Sequence, residues 1–165
     1  MNPSRAATRA EVAGRVTKAM GIYTDVTGAS KFLDVTLTDS YYISTAVAVE
    51  YGIINGYGDN TFKPDRNITR QEAAAILART LRLAKNQETT QSSTLTSGRA
   101  DELIARFNDA DKVAEWAKID VAECIQAGII NGDNKGNVNP DANVTRAEIV
   151  QMVYNLLTQY GYIDA

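Results

Sequence analysis

Thr8-Arg9-Ala10-Glu11, Thr69-Arg70-Gln71-Glu72 and Thr145-Arg146-Ala147-Glu148 are one tetrapeptide, Thr-Arg-x-Glu, written three times in a chain of 165 residues. Each copy stands five residues after a proline, Pro3, Pro64 or Pro140. Each opens an apolar pattern of helical spacing. The first runs Val12, Ala13, Val16, Ala19 and Met20. The second runs Ala73, Ala74, Leu77, Thr80 and Leu81. The third runs Ile149, Val150, Val153, Leu156 and Leu157. Three like helices with equivalent apolar faces are expected to pack on one another, and a repeat of this kind decides the fold class before any single element does.

The repeat extends outward from the tetrapeptide. Gly52-Ile53-Ile54-Asn55-Gly56 returns as Gly128-Ile129-Ile130-Asn131-Gly132, and Arg146 follows Arg70 by the same interval of 76 residues. Phe32-Leu33-Asp34-Val35 and Phe107-Asn108-Asp109-Ala110 open the two full units. Helices are predicted over 8–20, 41–51 and 112–127, with Gly52 and Gly128 as glycine stops. Asn55–Pro64 and Asn131–Pro140 read as loops, where turn formation accounts for their glycines. The expected division is the back half of a first repeat over 1–31, a second repeat over 32–84, a polar mobile insertion over 85–106 and a third repeat over 107–165, together one domain. A short helix is expected at 101–106. The chain starts inside a unit, so the native protein is expected to be longer at its N-terminus or trimmed there. Tyr162-Ile163-Asp164-Ala165 resembles the opening of a further unit.

Composition narrows the function. Lys and Arg total 17 against 20 Asp and Glu, a net charge of −3, which does not favour nucleic acid. There is no His and one Cys, Cys124, which excludes His-based triads and zinc sites of ordinary composition. No apolar run reaches membrane-spanning length. An EF-hand-like reading of the loop from Asn131 fails because Lys135 falls in a ligand position and Ala142 at the twelfth. No metal or cofactor is expected. Cys124 reads as a small buried apolar residue.

Thr-x-x-Glu is a capping box, in which each side chain satisfies a backbone N–H of the other residue. The Arg has no such explanation. At the first helical position a cation opposes the helix dipole. A guanidinium beside a helix N-terminus suits a carboxylate or phosphate. Arg9, Arg70 and Arg146 therefore read as anion receivers. The competing reading pairs each with a carboxylate of its own chain, such as Asp34 or Asp109. Trp116, and Tyr41 and Tyr42 in the matching region, are either core or stacking platforms for sugar rings.

The order Phe-x-Asp-Val, helix, Gly-Ile-Ile-Asn-Gly-Tyr, Gly-Asp-Asn-Thr-Phe-Lys-Pro-Asp, Ile-Thr-Arg-Gln-Glu resembles the S-layer homology domain. The match runs over residues 32–84 and 107–160, and over the back half of the pattern in 1–23. The resemblance implies an all-α fold with the repeats in a pseudo-threefold arrangement around a central bundle of the three Thr-Arg-x-Glu helices. It implies non-catalytic anchoring of a secreted bacterial surface protein to an anionic, pyruvylated secondary cell-wall polysaccharide. No signal peptide is expected within these residues. The resemblance makes Arg9, Arg70 and Arg146 the principal contacts and extends the ligand-binding set to Trp116, Tyr41, Tyr42, Gly56, Tyr57 and Gly132. This chain departs from the pattern at Ser40-Tyr41-Tyr42, where a Trp is common, at Asp133-Asn134 against Tyr57-Gly58, and at Val138-Asn139. Its grooves are not expected to be equivalent.

Arg146 is expected to be the least competent of the three, because the front half of repeat one is missing. The apolar face beside it is then open or covered by a second chain. Self-assembly into a homo-oligomer is the alternative function. An enzyme is disfavoured, since Glu11, Glu72 and Glu148, the only repeated helical acids, are occupied by capping.

Overall fold

The computed structural model describes residues 2–23, 30–85 and 93–163. In chain order its helices are α1 (Arg9–Ala19), α2 (Tyr42–Glu50), α3 (Arg70–Ala84), α4 (Ser97–Ile104), α5 (Lys118–Gln126) and α6 (Arg146–Gln159), with short 3-10 turns at Ala110–Lys112 and Glu115–Ala117. Among the described residues the extended pairings are isolated bridges, so the fold is all-α as the periodicity predicts. No helix among them is long and apolar enough to cross a membrane.

The three Thr-Arg-x-Glu helices α1, α3 and α6 pack on one another, with Val16, Leu77 and Leu156 meeting at the contact. Each begins with a complete capping box. The remaining first-turn donors are used across repeats. Arg9 and Ala10 donate their N–H groups to Arg66 O and Pro64 O, Arg70 and Gln71 to Ala142 O and Pro140 O, and Arg146 and Ala147 to Arg5 O and Pro3 O, all at 2.9–3.1 Å. The helix N-termini therefore keep no free N–H groups for an external anion, contrary to the expectation from sequence. One residue before each Thr the backbone closes a cycle. Ala7 N donates to Val144 O (2.8 Å), Val144 N to Ile68 O (3.0 Å) and Ile68 N to Ala7 O (3.1 Å).

The front halves repeat the same local devices. Asp34 accepts from the backbone N–H groups of Phe62 and Lys63, and Asp109 from those of Val138 and Asn139, at 2.7–2.8 Å. Phe32 lies on Gly56 and Phe107 on Gly132, so closely that a Cβ at either glycine would stand 2.0 or 2.5 Å from the ring. Gly52 and Gly128 end α2 and α5 at φ values of 65° and 69°, in the left-handed region that favours glycine.

Two segments differ from the prediction. The helix expected over 112–127 starts at Lys118, because Val113 and Ala114 are extended and Ala114 N–H goes to the Gln71 side chain instead of into a helix. The helix expected at 101–106 starts at Ser97, where Thr96 caps it, and buries Ala100, Leu103 and Ile104. It packs on α5, so this part of the 85–106 segment is ordered structure; residues 86–92 lie outside the described residues, as do Asp164 and Ala165.

α2 covers α1, and α5 covers α3. The second contact contains a buried charge cluster that periodicity does not reveal. Arg82 of α3, 1% exposed, reaches Asp120 (2.5 Å) and Glu123 (2.9 Å from Nε) of α5. Burial alone would lower the Arg82 pKa, but these hydrogen bonds and charges raise it, while burial pushes the Asp120 carboxyl up. Removing one member of such a cluster strands the others. Arg82→Ala is expected to cost about 3–5 kcal/mol in denaturant unfolding, whereas an apolar replacement of all three should cost much less. A small loss with Arg82→Ala would show that water reaches the cluster.

The caps also set an acid limit. Burial alone would raise the carboxyls of Glu11 and Glu72, but the Thr N–H bonds and the nearby Arg charges outweigh it and hold both below the ordinary value. A carboxyl so depressed stabilises the fold above its unfolded pKa, and that stability is lost as pH falls through the folded value. Unfolding midpoints measured against pH should therefore decline below about pH 4.3, the ordinary Glu value, and less steeply in Glu72→Gln. An equal decline in both proteins would remove Glu72 from the account.

Candidate functional site

Counted from the repeat, Arg9 and Arg70 each point into the front half of the following unit. Arg9 is 7% exposed and donates to Phe62 O (2.9 Å) and Asn55 O (2.8 Å). Its guanidinium lies 4.8 Å from the Tyr57 ring centroid and 4.9 Å from that of Phe62. Arg66 closes the arrangement from outside, bonding Tyr57 OH and Glu72, each at 2.6 Å. Burial lowers the Arg9 pKa, although the Tyr57 and Glu72 charges oppose it. Arg9, Tyr57 and Gly56 are thus brought together, but as a filled socket.

Arg70 occupies the same place against the third repeat and finds it open. At the positions of Tyr57, Phe62 and Arg66 stand Asp133, Val138 and Ala142. The result is a cleft of about 350 Å³ with Arg70 at one side and Gly132 in the wall. Arg70 donates to Asn131 O (2.9 Å) and to Glu148 (3.3 Å), and its buried Nε has no partner among the described residues. Buried Ile129 and Met152 form the floor, and the polar lining is the carboxamides of Asn131, Asn139, Asn143, Gln151 and Asn155 with the carboxylates of Asp133 and Glu148. Asp133 is held in place by Asn139 and by the N–H groups of Asn137 and Lys135, and these bonds depress its pKa strongly. The cleft offers a fork of cationic donors, neutral amides that donate and accept, and an apolar base.

Among the described residues the Arg146 side chain has one hydrogen bond, from Nη1 to Glu11 (3.0 Å), and a buried Nε without a partner. The intrachain carboxylates that engage motif Arg residues are therefore Glu148 and Glu11, the capping acids, and not Asp34 or Asp109, which are spent on backbone N–H groups.

The aromatic candidates separate. Trp116 is 60% exposed in the 3-10 turn before α5 and takes no part in lining the Arg70 cleft. Tyr42 is a core residue, buried with Val47 and Ala48, so its assignment to a ligand surface is corrected. Tyr41 lines a second cleft of about 360 Å³ between α1 and α2, with Arg5, Glu11, Ser40, Ser44 and Asp65. The matching space between α3 and α5 is occupied by Gln71, whose side chain bridges Asp141 and Ala114, where the first repeat has the smaller Ala10. Cys124 is buried, its thiol donating to Ala74 O and its pKa pushed up by burial.

The carboxamides around Arg70 are absent from the reading of the sequence. Aligning the two units would have revealed them, since Asn139, Gln151 and Asn155 stand where the second repeat has Lys63, Ala75 and Arg79.

Repeated capped helices with a motif Arg set into the next front half define a class of repeat domain, and comparison with known proteins gives the family. The S-layer homology domain profile matches residues 31–74 and 106–150, and the chain belongs to that family. It is 32% identical over 162 residues to an amylopullulanase of Thermoanaerobacterium thermosulfurigenes, covering 98% of this chain and 8% of that protein. It is 33% identical over 150 residues to the surface-layer 125 kDa protein of Lysinibacillus sphaericus, covering 89% of this chain and 11% of that protein. It is 32% identical over 111 residues to a cellulosome-anchoring protein of Acetivibrio thermocellus, covering 67% of this chain and 22% of that protein. The chain thus spans less than a quarter of the length of these relatives.

The geometry separates the arginines by access, which chemistry can read without a ligand. Treatment of the native protein with an arginine-specific dicarbonyl, followed by peptide mass mapping, should label Arg70 well before Arg9 or Arg82. Labelling of Arg9 at the rate of Arg70 would show that the Tyr57–Arg66 closure is open in solution.

Proposed function

We propose that this chain is a non-catalytic anchor that holds a bacterial surface protein to the cell wall by binding an anionic wall polysaccharide. The Arg70 cleft carries the reading. The Arg70 guanidinium, whose Nη1 bond to half-exposed Glu148 is long, stands with neutral amides and an apolar floor. Together they suit a sugar that bears hydroxyl or acetamido groups and a carboxylate able to displace Glu148. A pyruvylated amino sugar has that combination. Membership of the S-layer homology family and the anchoring relative support the anchoring role, and the surface-layer relative supports a secreted, wall-associated location. The hydrolytic name of the amylopullulanase is compatible with this, because the resemblance reaches 8% of that protein.

In this reading Arg70 and Gly132 contact ligand. Arg9, Tyr57 and Gly56 form a closed counterpart, and Arg146 contributes less. Trp116 and Tyr41 supply outlying stacking surface. Residues 1–31, 32–84 and 107–165 act as three repeats in pseudo-threefold arrangement, a reading supported by the backbone cycle through Ala7, Ile68 and Val144.

Arg70→Ala is expected to weaken binding to purified wall polymer by about 1.5–3 kcal/mol, the range for charged hydrogen bonds. Arg70→Lys should restore only part, since the planar fork is lost. Arg9→Ala should lower the unfolding midpoint more than the affinity. Titration calorimetry with native polymer and with polymer stripped of pyruvyl groups decides the matter. Full rescue by Lys, or equal affinity for both polymers, sinks the carboxylate reading.

A further inference from the structure

We propose that the sugar received by the Arg70 cleft carries an ammonium as well as a carboxylate. It is an amino sugar whose nitrogen is unacetylated, with its carboxylate on Arg70 and its ammonium on Asp133; this rests on the anchoring reading of the same cleft.

The charges of the two sockets run in opposite directions. Three cations surround the Tyr57 ring: Arg9 at 4.8 Å from its centroid, Lys63 at 4.3 Å and Arg66 at 5.9 Å. Glu72 is the carboxylate paired with Arg66. At the matching positions the third repeat keeps Arg70 and Glu148 but has Asn139 for Lys63, Ala142 for Arg66 and Asp133 for Tyr57. Among the described residues the Arg70 cleft is therefore lined by one cation and two carboxylates. A site for an anion alone gains from every cation around it. This one has lost two and added an acid.

Asp133 is a charge without a counter-charge. Its donors are all neutral: the Asn137 and Asn139 side-chain amides and the N–H groups of Lys135 and Asn137. These bonds fix the carboxylate in one orientation and hold it well below the ordinary carboxylate range, so it stays ionised. It forms no ion pair among the described residues. Binding adds a second such charge. When a ligand carboxylate takes Arg70 Nη1, Oε1 of Glu148 is released while Oε2 stays with Thr145. A purely anionic sugar would then set three carboxylates, its own included, around one guanidinium. An ammonium on the same sugar offsets one of them and makes a charge-assisted hydrogen bond to Asp133. An acetamido group brings an N–H but no charge. Arg70 and Asp133 line one cleft of about 350 Å³, so a single small ligand reaches both.

The probes are muramic acid, which has one carboxylate and one ammonium, and N-acetylmuramic acid, which differs by the acetyl group alone. Each is titrated into the intact chain and followed by the backbone amide resonances of Gly132 and Asn139. Muramic acid is expected to bind roughly tenfold or more tightly, the effect of one charged hydrogen bond. The preference should vanish in Asp133→Asn, whose amide oxygen can still take the Lys135 and Asn137 N–H groups. In the wild-type chain it should vanish as pH rises through the ammonium pKa of the sugar, since Asp133 is charged throughout. Equal binding of the two sugars, or binding of neither, overturns the proposal. So does a preference that survives Asp133→Asn or the rise in pH. Tighter binding of D-alanine than of muramic acid would seat the amino-acid end of a wall peptide instead of a sugar, and would equally overturn it. Arg70→Ala should weaken both sugars; if it weakens neither, the carboxylate reading fails on its own account.

Discussion

The fold depends on a cycle of backbone hydrogen bonds. Ala7, Ile68 and Val144 each donate to one of the others and accept from the remaining one, and the next residues place three helix starts beside it. Buried backbone groups must find partners. Here each repeat finds them in a different repeat, including the first-turn N–H groups that a helix leaves unpaired. No single unit can satisfy its own helix start. Loss of one repeat would unpair donors or acceptors in both of the others, which is a stronger coupling than apolar contact between helices alone would give.

Much of this was legible because it is local. Thr8, Thr69 and Thr145, each with a Glu three residues on, announce helix starts, and Gly52 and Gly128 announce helix stops. The apolar stripes announce which faces meet. The destination of the first-turn N–H groups was not legible, because it depends on which carbonyl a neighbouring loop brings near. Nor was the Arg82 cluster, since a charged residue at a buried position breaks the pattern on which the reading rests. The late start of α5 has the same origin, for the Ala114 N–H is taken by Gln71, 43 residues away. Tyr42 was misjudged because an aromatic at helical spacing reads alike whether it faces the core or a groove.

Duplication makes the site intelligible where single residues do not. The sockets for Arg9 and Arg70 share a backbone plan, with an Asp gripping the loop and a Phe lying on a glycine. What differs is filling. Tyr57 and Arg66 close one socket over its arginine, while Asp133 and Ala142 leave the other empty enough for a ligand. The reverse holds between the helix pairs, where Ala10 leaves a cleft that Gln71 fills. One scaffold thus carries closed and open versions of two cavities, and small substitutions decide which is which.

The capping acids explain how an arginine can sit at a helix start and remain available. Each motif Glu divides its oxygens. Oε2 of Glu11, Glu72 and Glu148 accepts the Thr N–H, and Oε1 faces an arginine. The cap therefore does not compete with the ion pair, and breaking the pair leaves the helix start intact. At Arg70 the pair is long, 3.3 Å, and Glu148 is half exposed, so solvent weakens it. The bond to Asn131 O fixes the guanidinium meanwhile. In the proposed reading a ligand carboxylate entering the cleft takes the Nη1 position from Glu148 while Thr145 keeps its cap on Oε2.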